Sequence, residues 1–114
     1  MAEQQRLICQ TADLMEGGRG IRFTVQRHGR QEPAFAVRYR GVVRAYLNRC
    51  AHVPVELDWV EGDFFDMSGL YLLCSTHGAA YLPDSGRCAG GPCSGRGLVA
   101  LAVAESDGRV YLIE

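Results

Sequence analysis

Cys50-Ala51-His52 and Cys74-Ser75-Thr76-His77-Gly78 are the two stretches around which this chain is organised. We call them the first box and the second box, and 21 residues separate them. Each box supplies one cysteine and one histidine, and both side chains bind metals once they are deprotonated. Together the two boxes offer a complete set of four metal ligands.

The way the ligands are shared between the boxes favours one kind of metal centre. A structural zinc site usually takes paired cysteines from one short segment and paired histidines from another. Here each segment supplies a mixed pair, which suits a two-iron centre in which one iron binds both cysteines and the other binds both histidines. A zinc or interaction module built from the same four side chains stays open as an alternative.

The spacing C-x-H, then 21 residues, then C-x-x-H-G resembles the Rieske [2Fe-2S] family. A third element, Gly90-Gly91-Pro92-Cys93, resembles the proline loop that shields the cluster in that family on the side opposite the two boxes. The resemblance implies one [2Fe-2S] cluster per chain. In it, Cys50 and Cys74 bind an inner iron, while His52 and His77 bind an outer iron that accepts the electron.

Residues beside the second box set the expected reduction potential. High-potential relatives continue with Gly-Ser-x-Tyr, in which two hydroxyl groups donate to cluster and cysteine sulfurs, and they carry a disulfide between the boxes. This chain reads Gly78-Ala79-Ala80-Tyr81 and has no extra cysteine in either box. We therefore expect a potential in the lower half of the Rieske span of roughly −150 to +300 mV. Gly78, Tyr81 and Pro92 are expected next to the cluster, with plain core packing as the alternative role for Tyr81.

Charge is distributed unevenly along the chain. The 114 residues carry a formal net charge of −1, and every basic residue is an arginine, which argues against general nucleic-acid binding. Residues 1–49 contain nine arginines and four acids, whereas residues 50–114 contain three arginines and nine acids. Five of these acids form an acidic run at residues 56–66, between the boxes. This run is either a solvated connection or a docking face for a basic partner.

Short runs of alternating apolar and polar residues, bounded by glycine, proline, aspartate and asparagine, predict an all-β fold. Strands are predicted near residues 6–9, 21–25, 35–39, 43–47, 70–73, 79–82, 98–104 and 110–113. A turn is expected at residues 29–33, with His28 in solvent, and Asp107-Gly108 between apolar runs is a strong hairpin signal.

The length predicts one domain, residues 1–114. The resemblance implies a Rieske-like antiparallel β-sandwich or barrel as the base, with a small cluster-binding subdomain of two loops at about residues 48–95. The aromatic residues Trp59, Phe64 and Phe65 are expected to pin the acidic run to the base.

Three cysteines lie outside the boxes. Cys9 falls within an apolar run and is expected to be a small core residue. Cys88 and Cys93 have no ligand role in the family pattern, and a disulfide between them is not expected in a reducing compartment. The first residues include no apolar segment long enough for a signal peptide or membrane span, so the cytoplasm is the expected location.

The resemblance implies a function that a second protein must complete. Rieske oxygenases carry an additional mononuclear-iron domain, and this chain has no histidine after His77 with which to build one. We expect a soluble one-electron carrier, not an enzyme, that passes electrons from a flavin-containing reductase to a terminal oxygenase without a membrane partner. The small Rieske-like subunit of a nitrite reductase is the alternative within the family. The oligomeric state stays open.

Overall fold

The computed structural model describes residues 5–113, and the regular secondary structure of these residues is almost entirely β-strand. The ten strands are β1 (Gln5–Gln10), β2 (Ile21–Arg27), β3 (Arg30–Tyr39), β4 (Val42–Leu47), β5 (Leu72–Leu73), β6 (Ala80–Tyr81), β7 (Cys88–Gly90), β8 (Ala100–Leu101), β9 (Val103–Ser106) and β10 (Arg109–Ile113). One turn of 3-10 helix, Thr11–Asp13, is the only helix among these residues, and none of them forms a helix suited to crossing a bilayer. The predicted all-β fold is confirmed.

Two antiparallel sheets form the base of the molecule. One has the strand order β2-β3-β4-β8, and the other has the order β1-β10-β9. Cys9 and Val110 of the second sheet share a core cluster with Ala36, Val43 and Ala45 of the first sheet. Apolar residues at every second position create these inner faces, because successive side chains point to opposite sides of a strand. The base is therefore a sandwich, as expected.

A third antiparallel sheet, β5-β6-β7, is inserted between two neighbouring strands of the base. The chain leaves the base at the end of β4 and returns in β8, which pairs with β4 through Ala45 opposite Leu101. Both boxes lie in the inserted segment, residues 48–99. The ring of Phe64 in this segment stacks on Phe35 of β3, with ring centroids 4.0 Å apart. The insertion is therefore packed onto the base.

Predicted strand boundaries are wrong in the last third of the chain. Residues 98–104 form two strands, β8 and β9, which are separated by Ala102 and belong to different sheets. Residues 98–104 are all apolar, so the sequence contains no signal for the position at which the chain changes sheet. Strand β7 is not predicted either, since its glycine-rich surroundings are atypical of strands.

The predicted turn at residues 29–33 is shorter in the structure. Only His28 and Gly29 form the turn, and Pro33 lies inside β3. Pro33 is tolerated because its backbone faces the β4 side just beyond the last β3–β4 pair. At this point the Asn48 N–H donates to the Pro33 carbonyl at 2.8 Å. The missing N–H of the proline therefore removes no bond from the ladder. His28 is exposed, as expected.

The aromatic residues of the acidic run do not share one role. Phe64 is fully buried, and the ring of Phe65 lies 6.4 Å from that of Tyr39, so both pin the run to the base. Trp59 does not, because it is 72% exposed and its Nε1–H donates to Thr76 Oγ1 at 3.2 Å. The prediction for Trp59 is wrong, since this side chain lies on the surface beside the second box.

Asp58, within the acidic run, is buried and holds the run in place. Its carboxylate accepts hydrogen bonds from Arg22 Nε (2.8 Å), Asn48 Nδ2 (3.0 Å) and the Gly62 N–H (2.9 Å). Burial raises the pKa of Asp58, but the hydrogen bonds and the Arg22 charge outweigh burial and hold this pKa below its usual range. Asp58 is therefore an internal anchor and not part of a docking face.

We expect Asp58→Asn to lower the free energy of unfolding at pH 7 by about 1–3 kcal/mol, because the amide places a donor among other donors. A carboxylate with a depressed pKa contributes its full stability above its unfolded pKa of about 4 and loses it as the pH falls through the lower folded pKa. The difference in the free energy of unfolding between wild type and variant should therefore become smaller as the pH is lowered from 7 to about 3.

Urea unfolding of both proteins at the two pH values measures this difference. Asp84→Asn is the matched control, because Asp84 is an exposed carboxylate outside the acidic run. A difference for Asp58→Asn that stays constant with pH would contradict the ionised anchor.

Candidate metal centre

The first box lies directly after the end of β4. The Cys50 N–H donates to the Val55 carbonyl at 2.8 Å, which closes a short loop over the box. The Asn48 side chain holds the next part of this loop, because its Oδ1 accepts from the Leu57 N–H at 2.9 Å and its Nδ2 donates to Asp58. Ordered backbone on both sides fixes Cys50, which is 3% exposed.

The second box forms the connection between β5 and β6. The Cys74 N–H donates to the Ala79 carbonyl at 2.8 Å, and the Gly78 N–H donates to the Cys74 carbonyl at 3.0 Å. Gly78 has a φ of 75°, a conformation that glycine adopts without strain. Cys74 is fully buried and His77 is exposed. The turn therefore places the sulfur inside and the imidazole outside.

The structure brings the two boxes together. The rings of His52 and His77 lie edge to face, with centroids 5.1 Å apart and an interplanar angle of 79°. Cys50 and Cys74 are buried in one core cluster, close enough for each thiol to affect the ionisation of the other. The four predicted ligand side chains thus form two pairs, with the sulfurs inside and the imidazoles toward the surface.

Burial acts on the ionisation of both thiols. It raises the pKa of Cys74, and the neighbouring Cys50 raises this pKa further. Burial also opposes ionisation of Cys50, but hydrogen bonds from the Tyr81 hydroxyl and from backbone N–H groups outweigh burial and lower the pKa of Cys50. A second thiolate beside the first needs a compensating positive charge, which a bound metal supplies.

His52 fits the role of a metal ligand through one of its ring nitrogens. Its Nδ1 is buried and has no hydrogen-bond partner among the described residues. Buried polar atoms nearly always have a partner, because an unpaired one costs about 1–3 kcal/mol. A metal bound at Nδ1 would satisfy this nitrogen. The donor types and the unpaired Nδ1 together fit a Rieske cluster.

The arrangement of possible ligands also bears on zinc. Within residues 5–113, no group of three or more His, Cys, Asp or Glu side chains is placed to hold one metal ion. A structural zinc ion needs four such ligands around it. Each iron of a two-iron Rieske cluster takes only two protein ligands. The two pairs seen here, one of thiols and one of imidazoles, match that division of ligands.

Tyr81 lies between the core and the first box. Its ring is fully buried, and its hydroxyl oxygen lies 3.2 Å from Cys50 Sγ. The same oxygen accepts a hydrogen bond from the Ala51 N–H at 2.9 Å. Since that lone pair is taken by Ala51, the hydroxyl hydrogen is free to point at the sulfur. Tyr81 thus combines core packing with a polar contact to a predicted ligand.

The proline loop, Gly90 to Cys93, lies against the second box. Gly91 has a φ of 84°, and a Cβ at this position would lie 2.9 Å from the Gly78 carbonyl oxygen. Only glycine allows this close approach of two backbones. Pro92 itself is exposed. That Pro92 shields the cluster stays a prediction.

Cys88 and Cys93 form a disulfide, so the expectation that they stay unpaired is wrong. Their Cα atoms lie 5.6 Å apart because the proline loop folds back over β7, and a redox argument from the compartment says nothing about this distance. Cys9 is a free buried cysteine, as expected. Burial raises the pKa of Cys9 to about 11, and Asp13 and Glu105 add to the effect.

Two residues that order the centre are not identified by the sequence. Asn48 Oδ1 accepts from the Leu57 N–H in the loop after the first box, and Arg96 donates from Nη1 to the Ala51 carbonyl at 3.2 Å. These bonds join residues that are nine and 45 positions apart in the chain. A local pattern carries no signal for such contacts.

Comparisons with known proteins agree with this geometry. The family model for the Rieske [2Fe-2S] domain matches residues 4–107. A chain in a complex of reduced oxygenase and oxidised ferredoxin of carbazole 1,9a-dioxygenase is similar, with a TM-score of 0.73, 24% identity, and coverage of 96% of this chain and 92% of that one. The ferredoxin of Sphingomonas yanoikuyae B1 has a TM-score of 0.73 and 20% identity, with coverage of 97% and 99%.

A longer protein also contains this fold. The terminal oxygenase of carbazole 1,9a-dioxygenase from Novosphingobium sp. KA1 has a TM-score of 0.72 and 29% identity. The match covers 96% of this chain but only 29% of the oxygenase chain. A comparison with the curated proteins found no match. Because the family model spans nearly the whole sequence, the chain belongs to the Rieske family, whose domain carries a [2Fe-2S] cluster.

Proposed function

We propose that this chain is a one-electron carrier whose cluster is bound by Cys50, His52, Cys74 and His77. The observation that carries the proposal is the meeting of the two boxes, with neighbouring buried thiols and imidazole rings 5.1 Å apart. A Rieske cluster supplies reversible one-electron chemistry when it is bound. The chain itself is not proposed to catalyse a reaction.

Burial gives the two ligand pairs different tasks. Cys50 and Cys74 are 3% and 0% exposed, so the surrounding core keeps water away from the sulfurs. His77 is exposed and His52 is half-buried, so the imidazole edge is the part of the centre that another protein can approach. Electrons are therefore proposed to enter and leave at the histidine edge.

We propose a flavin-containing reductase as the electron donor and a terminal oxygenase as the acceptor. The acceptor is supported by the structural neighbour that comes from a complex of an oxygenase with its ferredoxin. Glu61 and Asp63 are exposed in the acidic run, and exposed Trp59 bonds Thr76, the neighbour of His77. A basic partner surface would meet these groups next to the histidine edge.

The proposal also covers the cluster-binding subdomain and the location of the protein in the cell. Residues 48–95 would act as the cluster-binding subdomain of a single domain, because both boxes and the third sheet lie within them. The cytoplasmic location stays a prediction.

The cluster and its ligands are tested together. The purified chain should be red-brown, contain two irons and two acid-labile sulfides, and give a paramagnetic signal after one-electron reduction. Cys50→Ser and His77→Ala should each abolish cluster binding. His28→Asn is the matched control, because His28 is an exposed histidine outside both boxes and asparagine tolerates its φ of 50°. A colourless protein without iron and sulfide would overturn the proposal.

Delivery of the electron should depend on ionic strength. Stopped-flow mixing of the reduced chain with the oxidised terminal oxygenase from Novosphingobium sp. KA1 should show reoxidation that slows as salt is added. Glu61→Gln with Asp63→Asn should lower the low-salt rate several-fold and flatten the salt dependence, whereas Asp107→Asn, in the β9–β10 turn, should leave both unchanged. Rates that are indifferent to salt would remove the acidic docking face, and a chain that is not reoxidised would contradict the proposed acceptor.

Tyr81→Phe should lower the reduction potential. A hydrogen bond to Cys50 sulfur stabilises the additional negative charge of the reduced state, and its loss should cost on the order of 50 mV, since a tenfold change in a one-electron equilibrium is about 59 mV. Voltammetry of the two proteins measures the shift. Tyr46→Phe is the control, because Tyr46 lies in the same core cluster but donates to the Pro83 carbonyl at 2.6 Å. Equal potentials for wild type and Tyr81→Phe would show that no hydrogen bond reaches the sulfur.

A further inference from the structure

The Cys88–Cys93 disulfide is a feature that the proposed function leaves unused. We propose that it is a reversible modification site: a dithiol reductant opens it, and its redox state sets how firmly the proline loop is held against the two boxes. The proposal rests on the proposed function, because the bound cluster is what the held loop would retain.

The disulfide ties the proline loop to the third sheet. Cys88 begins β7 and pairs with Tyr81 of β6, the strand that follows the second box. Cys93 ends the proline loop and is fully buried in the same core cluster as Cys50 and Cys74. The bond therefore fixes the end of the loop on β7, which pairs with the strand that carries the Tyr81 hydroxyl to Cys50.

On one side, the fixed loop contacts the second box. Gly90 pairs with Ala80, and the α-carbon of Gly91 lies so close to Gly78 that a Cβ would meet its carbonyl oxygen at 2.9 Å. The backbone of Ala79 lies 3.1 Å from the same position. A loop released from Cys88 would lose the restraint that keeps these backbones together.

On the other side, the fixed loop reaches the first box. The Arg96 N–H donates to the Cys93 carbonyl at 2.9 Å, and the Cys88 N–H donates to the Arg96 carbonyl at 3.0 Å. From this turn, Arg96 Nη1 donates to the Ala51 carbonyl, between the two predicted ligands of the first box. The disulfide thus lies at the centre of a short segment that contacts both boxes.

The difference in exposure between the two cysteines determines where a reductant attacks. Cys88 is half-buried, whereas Cys93 is fully buried. A thiolate of the dithiol attacks the Cys88 sulfur, the Cys88–Cys93 bond breaks, and Cys93 leaves as a thiolate that takes up a proton. The second thiol of the reductant then displaces Cys88 from the mixed disulfide. Two electrons pass to the protein, and the reductant becomes a disulfide.

The thiol count tests whether the bond exists. The protein is denatured and treated with an alkylating reagent without reductant, and its mass is measured. Three alkylated cysteines are expected, namely Cys9, Cys50 and Cys74, and all five should be alkylated after prior treatment with dithiothreitol. Alkylation of all five without reductant, in protein purified under air, would overturn the proposal.

The stability of the cluster tests what the bond does. Bleaching of the visible absorbance by a chelator should be several-fold faster after dithiothreitol treatment of the wild type. The Cys88→Ser, Cys93→Ser double variant should bleach at the fast rate with or without dithiothreitol. Cys9→Ala is the matched control and should behave as the wild type does, because Cys9 packs in the base. Equal bleaching rates for oxidised and dithiothreitol-treated wild type would overturn the proposal even if the double variant fails to fold.

Failure of this inference and failure of the proposed function give different results. A chain without iron and sulfide contradicts the carrier itself. A chain that keeps its cluster equally well in both thiol states contradicts only the role of the disulfide.

Discussion

The pairing of β4 with β8 is the constraint on which the rest of the structure depends. It brings the two ends of residues 48–99 to the same edge of the base, so this long segment must fold back on itself. Its own strands have only two or three residues each, too few to form an independent core. The segment is instead ordered by the base beneath it, through the stacking of Phe64 on Phe35 and the hydrogen bonds from Arg22 to Asp58.

Buried polar groups, more than strand ladders, fix the two boxes. Two buried tyrosines show the principle, because the Tyr46 hydroxyl bonds the Pro83 carbonyl and the Tyr81 hydroxyl bonds the Ala51 N–H. The Asn48 amide adds a third such anchor at the first box. Burial of each of these polar groups destabilises the fold unless its hydrogen-bond partner is in place. These bonds therefore hold the loops in one well-defined conformation.

Local patterns predict the parts of the fold that depend on neighbouring residues. The alternation in β2, the Asp107-Gly108 hairpin and the all-β class follow from residues close together in the chain. Long-range contacts are where prediction fails. Nothing local distinguishes buried Asp58 from exposed Glu61, since the difference comes from Arg22, 36 positions before Asp58.

In the candidate site, too, local spacing predicts some features, and others depend on long-range contacts. The spacing within the boxes identifies four side chains that the structure brings together in two pairs. The disulfide depends instead on how a glycine-rich loop folds back, which spacing does not specify. The surface position of Trp59 likewise involves a bond to Thr76 in the second box, 17 positions along the chain. The assignment of the ligands stays a prediction, because it concerns bonds to atoms outside the chain.

The position of Trp59 also has a spectroscopic consequence. It is the only tryptophan of the chain, so all indole fluorescence originates from one place. That place is beside the second box, where Trp59 bonds Thr76, the neighbour of His77. A coloured iron–sulfur group bound there would quench the emission by energy transfer. The protein therefore contains its own optical reporter of whether the centre is loaded, without any added dye.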